Sequence, residues 1–220
     1  MSTTITAPDV SSFLRAHECF RRDVRRFGSL VARPGPADAD RAAAVGAYWG
    51  SFVELLDHHH LAEDELILPV VAAEFPGGAE LVDRLEAQHG RLCELLETVS
   101  PVPAVEQPDS AEGARSRAGI TELADLLTGH LDDEDAELVP AFSACFDRER
   151  WRLVDRGIVD RLARDGLYPF ALPWTGDGLN PDLMDRALTR LGPAITREYH
   201  EVWWPAYTEQ VHLIWGEATS

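Results

Sequence analysis

Residues 58–69 read HHHLAEDELILP, and residues 130–140 read HLDDEDAELVP. Both stretches contain a histidine and a glutamate four positions apart, followed by a proline six positions after the glutamate. These residues are His59, Glu63 and Pro69, and His130, Glu134 and Pro140. A four-residue step on an α-helix places two side chains on one face. The two stretches therefore predict matching imidazole–carboxylate pairs on two helices.

A single histidine precedes each pair at nearly the same distance. His17 lies 42 residues before His59, and His89 lies 41 residues before His130. The repeat thus has two halves, each with two histidines and one glutamate. Together the halves supply four imidazoles and two carboxylates, which is a ligand set for two metal ions.

Apolar residues recur with helical spacing over most of the chain, and clusters of proline and glycine interrupt them. This pattern predicts an all-α fold, an antiparallel up-down four-helix bundle. The predicted helices are residues 12–32, 38–75, 79–99 and 112–146. The predicted breaks are residues 33–36, 75–78 and 100–108, the last as a mobile loop. Pro69 and Pro140 lie within helical patterns, and each should bend its helix.

The candidate ligands all lie on the apolar faces of the predicted helices. They are His17, His59, Glu63, His89, His130 and Glu134. An ionised carboxylate buried without a partner is very costly. Two divalent metals, each bound by two imidazoles and bridged by both glutamates, would satisfy every group. Such ligands suit iron, manganese or zinc. They leave open positions at which dioxygen, peroxide or nitric oxide could bind.

These residues resemble the hemerythrin-like (HHE cation-binding) domain family, and residues 58–69 are especially typical of it. The resemblance covers residues 10–146. It implies a non-haem centre of two iron ions with an oxo or hydroxo bridge, with manganese or zinc as weaker alternatives. Glu63 and Glu134 would bridge the ions, and the four histidines would be terminal ligands. The implied function is activation or reduction of dioxygen or peroxide, with a small organic molecule as a potential substrate. The alternative is a module that binds, senses or scavenges dioxygen or nitric oxide.

The chain departs from the oxygen-carrying members of the family at one position. Those proteins have a second histidine four residues after the one on the third helix, where this chain has Cys93. The departure favours redox chemistry over reversible oxygen carriage, and we therefore expect an enzyme. Cys93 could itself be a ligand, but a small buried apolar role is the commoner one for cysteine.

Four polar residues lie next to the candidate ligands and are interpreted separately. His58 is expected in solvent. His60 could lie behind the ligands or replace His59 if the register of the helix differs. Asp64 and Asp135, which directly follow the two glutamates, could orient ligands, but a solvated face is the more ordinary reading.

Residues 147–220 form a second region, a helical, aromatic-rich extension that we expect to pack on the bundle. Tyr199, Trp203, Trp204 and Tyr207 recur there at helical spacing. They predict either core packing or a wall that closes a pocket over the metals. A homodimer formed through this extension is a further expectation. His200 and His212 have no spacing partner and are interpreted as structural.

The charge balance is strongly acidic. There are 38 acidic residues against 20 basic ones, all of them arginine, and the formal net charge is −18. This balance argues against nucleic acid and anionic membranes as partners. No signal peptide or membrane-spanning run is recognisable. Three widely spaced cysteines fit reduced thiols, so we expect a cytoplasmic protein.

Overall fold

The structure is a computed structural model that describes residues 8–35 and 38–216. Most of the N-terminal segment interpreted as lacking a signal peptide lies outside these ranges, as does Pro36 of the predicted break at 33–36. The described residues are helical and include no strand. The predicted all-α class is confirmed.

The bundle is built from four long helices joined by shorter helical segments. The elements up to residue 145 are α1 (Ser11–Ala32), α2 (Ala39–Leu66), α3 (Leu68–Glu74), α4 (Gly78–Leu96), α5 (Val102–Glu106), α6 (Ala111–Asp133), π1 (Glu134–Leu138) and α7 (Val139–Cys145). Helix α1 packs along α6, α4 packs against both α6 and α2, and α3 packs against α4.

The two prolines that follow the ligand pairs interrupt their helices in different ways. Helix α2 ends at Leu66, and α3 begins at Leu68 with Pro69 in its first turn. Before Pro140 the helix instead widens into the π-helical turn π1, in which the Val139 N–H bonds to the Glu134 carbonyl. Proline has no N–H to donate to the preceding turn of a helix. Both the helix break before Pro69 and the wider turn before Pro140 accommodate this missing hydrogen bond. The predicted helices 38–75 and 112–146 are therefore each divided.

The segment 100–108, expected to be a mobile loop, is packed against the bundle. It contains α5, whose Ala104 and Val105 are completely buried. Helix α5 lies against α6 and α2. The expectation of mobility treated the prolines only as breakers, although proline is well accommodated in the first turn of a helix.

The extension consists of further helices that cover one side of the bundle. They are α8 (Arg148–Arg164), α9 (Tyr168–Gly176), α10 (Pro181–Leu191), α11 (Pro193–Glu198), π2 (Tyr199–Trp203) and α12 (Trp204–Trp215). Helix α9 packs against α1, and α12 packs against α2. Trp174, Val211 and Ile214 join the same apolar core as Phe20 and Phe27 of the bundle. Packing of the extension on the bundle is as expected, and a domain boundary between residues 146 and 147 stays a prediction.

Arginines of α1 fasten the C-terminal end of α9. Arg15 Nε donates to the Thr175 carbonyl at 3.0 Å, and Arg22 Nη1 donates to the Trp174 and Asp177 carbonyls at 3.1 and 2.9 Å. The last carbonyls of a helix have no partner within it and carry partial negative charge. The guanidinium groups satisfy these carbonyls and hold the extension against the helix that carries His17.

We expect Arg22→Ala to destabilise the protein strongly. The Arg22 side chain is 17% exposed and also donates to the buried Asp23 at 2.8 Å, so its loss removes one of the two arginines, Arg22 and Arg26, that pair with this buried carboxylate. Breaking a buried pair costs about 3–5 kcal/mol. Urea denaturation would measure the loss. The control is Arg91→Ala, which removes an exposed pair with Glu122 and should cost below about 1 kcal/mol. Equal losses of stability in the two variants would show that Arg22 does not hold α9 against α1.

Candidate metal centre

The structure brings all six predicted ligands together in the middle of the bundle. They come from α1 (His17), α2 (His59 and Glu63), α4 (His89), α6 (His130) and π1 (Glu134). The side chains of His17 and Glu134 have no exposed surface, and that of Glu63 is 1% exposed. The apolar helix faces that carry the candidate ligands are therefore buried, as expected.

The candidate ligands form two groups, and within each group the ligand atoms lie within 4.8 Å of one another. One group is His17, His59, Glu63 and Glu134; the other is His60, Glu63, His89 and His130. Each glutamate also contacts a histidine of both groups. Glu63 Oε1 lies 3.4 Å from His59 Nε2, and Glu63 Oε2 lies 3.6 Å from His89 Nε2. Glu134 Oε2 lies 3.4 Å from the Nε2 atoms of both His17 and His130. Both carboxylates are thus placed between two metal positions.

Hydrogen bonds on the far side of three imidazoles fix how those rings face the centre. Nδ1 of His17 lies 2.8 Å from Asp135 Oδ1, Nδ1 of His89 lies 2.9 Å from Asp64 Oδ1, and Nδ1 of His130 lies 2.9 Å from Gln88 Oε1. Carboxylate and amide oxygens accept hydrogen bonds, so each Nδ1 must donate. In the neutral ring Nε2 then carries a lone pair, and this lone pair faces the carboxylates.

The centre leaves buried polar atoms without hydrogen-bond partners among the described residues. They are both oxygens of Glu63 and of Glu134 and the Nε2 atoms of His60, His89 and His130. Burial lowers the pKa of His130 to about 4 and the pKa values of His59 and His60 well below their usual range, so these rings are neutral at pH 7. Lone pairs facing carboxylate oxygens repel each other unless cations lie between them. The residues present fit two metal ions.

Asp64 and Asp135 hydrogen-bond to candidate ligands, which supports the interpretation that they orient ligands, and their side chains remain 39% and 32% exposed. Each directly follows one of the two glutamates of the centre and accepts a hydrogen bond from a histidine on another helix. Arg21 in turn lies 2.8 Å from Asp135. Carboxylates placed behind metal-bound imidazoles orient the rings and raise their basicity. The recognisable sequence signal was the aspartate that follows the glutamate in both halves of the repeat.

His60 supplies a fifth imidazole alongside His59. The sequence suggested a place behind the ligands or a replacement of His59, yet both rings reach the centre. The His60 ring stacks on His89 with centroids 4.2 Å apart and lies 5.2 Å from His130. Consecutive helical residues point about 100° apart, so the two rings serve different metal positions. The expected two imidazoles per metal become three at one position and two at the other. The complete ligand assignment stays a prediction.

The remaining histidines and Cys93 lie outside the two groups. His58 is 8% exposed, so the expectation that it lies in solvent is wrong. Cys93 is exposed, which contradicts both a ligand role and a buried apolar role. His200 lies on the surface 3.4 Å from Asp185, and His212 is also exposed.

Aromatic rings cover the side of the centre that carries His17 and His59. Phe13 lies 4.3 Å from the His17 ring, and Phe20 lies 5.2 Å from the His59 ring, measured between centroids. Two tryptophans of the extension pack behind them, Trp151 at 6.4 Å from Phe13 and Trp174 at 4.9 Å from Phe20. The aromatic residues at 199–207 were expected either in the core or as a wall over the metals, and Tyr199 and Tyr207 are buried in the core. Trp151 and Trp174 are the residues of the extension that back the apolar wall of the centre.

A family model, the hemerythrin HHE cation binding domain, matches residues 9–142. The chain therefore belongs to the hemerythrin HHE family. A search of curated proteins and a search of solved structures each gave no match. No helix among the described residues is long and apolar enough to span a membrane.

We expect His60→Ala to remove the metal from one of the two positions. Metal analysis after reconstitution should show the content falling from about two ions to about one per chain, since a buried ligand is lost from one group. The control is His58→Ala, which removes a neighbouring histidine outside both groups and should keep the full content. Two ions bound by both variants would exclude His60 as a ligand.

We expect Asp64→Asn to weaken metal binding while leaving the fold intact. Loss of such a supporting carboxylate costs about 10- to 100-fold in metal affinity. Competition with a chelator of known affinity would measure the change. Asp132→Asn is the matched control, because Asp132 is exposed and bonds to Arg21 instead of a histidine. Equal affinities of the two variants would show that Asp64 does not support the centre.

Proposed function

We propose that this chain is a non-haem di-iron protein that binds dioxygen or peroxide and reduces it, and that it can oxidise a small organic substrate. The support is the donor set. Five imidazole nitrogens and four carboxylate oxygens converge on two positions. Two six-coordinate ions would offer about twelve positions, so the protein leaves room for a bridging oxygen and for an incoming molecule.

The composition of the donor set favours iron over the other two candidates. Zinc is most often four-coordinate and tetrahedral, a geometry that needs fewer donors than are gathered here. Manganese prefers oxygen ligands, whereas most of the candidate ligands are imidazoles. Iron accepts mixed imidazole and carboxylate ligands with open positions. When bound, it supplies one-electron redox steps and a place for dioxygen or peroxide.

The chain's own residues prepare this site in three ways. Neutral imidazoles offer their lone pairs without first releasing a proton, because burial keeps their pKa values low. Glu63 and Glu134 hold the two positions close together. Phe13 and Phe20 exclude water from one side, and water exclusion strengthens electrostatic interactions inside a site and limits side reactions.

Iron analysis, an optical spectrum and an oxidant-consumption assay on the purified protein test the proposal together. We expect about two irons per chain, because the ligands form two groups, with an oxo-to-iron charge-transfer band and repeated consumption of peroxide. Glu63→Ala and His130→Ala should each lose most of the iron. Glu137→Ala should retain it, because Glu137 lies in π1 but is exposed and paired with Arg84.

Two other outcomes would overturn the proposal. Dioxygen that binds and is released unchanged, without consumption of peroxide, would identify an oxygen- or nitric-oxide-binding module instead of an enzyme. Full iron occupancy in both Glu63→Ala and His130→Ala would refute the ligand assignment.

A further inference from the structure

Three oxidisable side chains surround a buried carboxylate beside the metal centre. Asp23 has no exposed surface. Its Oδ2 accepts hydrogen bonds from Trp174 Nε1 at 2.7 Å and from the Tyr48 hydroxyl at 2.8 Å. The Tyr48 hydroxyl lies 3.1 Å from the Tyr207 hydroxyl. These four residues form one hydrogen-bonded cluster between the bundle and the extension.

The cluster reaches the metal centre through a single ring. Trp174 packs on Phe20 with centroids 4.9 Å apart, and Phe20 packs on the candidate ligand His59 at 5.2 Å. Trp174 is 3% exposed and Phe20 is 1% exposed. An electron leaving Trp174 therefore has a short route to His59 through buried aromatic rings.

The other end of the cluster leads toward the surface. The Tyr207 hydroxyl donates to Asp177 Oδ2 at 3.1 Å, and Arg26 Nη1 donates to the same oxygen at 2.7 Å. The side chain of Arg26 is 13% exposed. Burial raises the pKa values of Tyr48 and Tyr207, so both phenols keep their protons at neutral pH. Loss of an electron from either phenol thus requires a nearby proton acceptor. Tyr48 has Asp23, and Tyr207 has the Tyr48 oxygen once Tyr48 has lost its own proton.

Building on the di-iron function proposed above, we propose that Trp174, Tyr48 and Tyr207 form a path that supplies single electrons to the metal centre during reduction of hydrogen peroxide. Peroxide takes up two electrons and two protons and becomes two waters. Where the bound metals would supply only one of these electrons, Trp174 would supply the other. The proton on its Nε1 then moves to Asp23 Oδ2.

In the remaining steps the residue that lacks an electron changes from Trp174 to Tyr48 and then to Tyr207. Tyr48 returns an electron to Trp174, Asp23 returns the proton to the indole nitrogen, and the Tyr48 hydroxyl proton moves to Asp23. Tyr207 then passes an electron and its hydroxyl proton to the Tyr48 oxygen. At the end Tyr207 is a neutral radical that has lost one electron and its hydroxyl proton, one proton remains on Asp23, and Trp174 and Tyr48 are restored. The protons used by peroxide come from water.

A packing role alone makes a different prediction for conservative substitutions. Trp174→Phe keeps a ring against Phe20 but removes the indole and its N–H. A structural role would then change stability alone, whereas the path requires that radical formation stop. Trp49 provides the comparison. It is a buried tryptophan that packs on Phe52 at 5.5 Å, and it donates to no carboxylate among the described residues.

The test uses the full chain loaded with ferrous iron, mixed with excess hydrogen peroxide and frozen at successive times. Electron paramagnetic resonance would detect organic radicals, with ring-deuterated tryptophan or tyrosine to assign them. Peptide mass spectrometry would locate oxidised side chains. We expect a tyrosyl signal in the wild type, with oxidation at Tyr207. Trp174→Phe should lose both, Tyr207→Phe should move the signal to Tyr48, and Trp49→Phe should resemble the wild type.

Iron content and peroxide consumption are measured on the same samples, so the two proposals can fail separately. Wild-type protein that holds its iron and consumes peroxide without an organic radical would overturn the path and leave the di-iron function standing. The same holds if Trp174→Phe, with full iron, gives the wild-type radical yield. Wild-type protein that binds no iron would overturn both.

Discussion

The burial of two carboxylates at the centre of an apolar bundle is the constraint on which the rest of this structure depends. Burial and the neighbouring charge of Glu134 raise the pKa of Glu63 well above its usual range. The fold must therefore hold a proton between the two groups or place cations there, because an unpaired buried carboxylate is very costly. Five imidazoles surround the pair, and burial lowers the pKa values of three of them, His59, His60 and His130, which favours cations. Metal binding and folding are consequently linked in this protein.

The two halves of the repeat depend on each other. Asp135, in the second half, holds His17 of the first, while Asp64 of the first half holds His89 of the second. Glu63 and Glu134 likewise each contact histidines from both halves. Neither half can assemble a complete metal position alone. The repeated spacing in the sequence therefore reflects one site that both halves share, not two separate sites.

Much of the centre could be predicted from the sequence, because ligands on a core-facing stripe must share the apolar periodicity of their helix. His60 could not be predicted in this way, since it lies about 100° away from His59 and only the packing of α4 shows what it meets. The roles of Asp64 and Asp135 depend on contacts between helices, which periodicity within one helix does not reveal. Helix α9 contains Pro169 and Pro173, which resemble helix breakers, so its local sequence does not predict a helix. Arg15 and Arg22 of α1 donate hydrogen bonds to carbonyls at the end of α9. The sequence of α9 itself does not reveal these partners.

The two metal positions are chemically unequal, although the repeat suggests symmetry. The position at His17 and His59 has two imidazoles and lies behind Phe13 and Phe20, which the extension backs with Trp151 and Trp174. The position at His60, His89 and His130 has three imidazoles, and the Asp64 side chain behind His89 is 39% exposed. The position with fewer imidazoles is thus the one enclosed by aromatic rings. The extension therefore belongs to the environment of the metal centre as well as to the core.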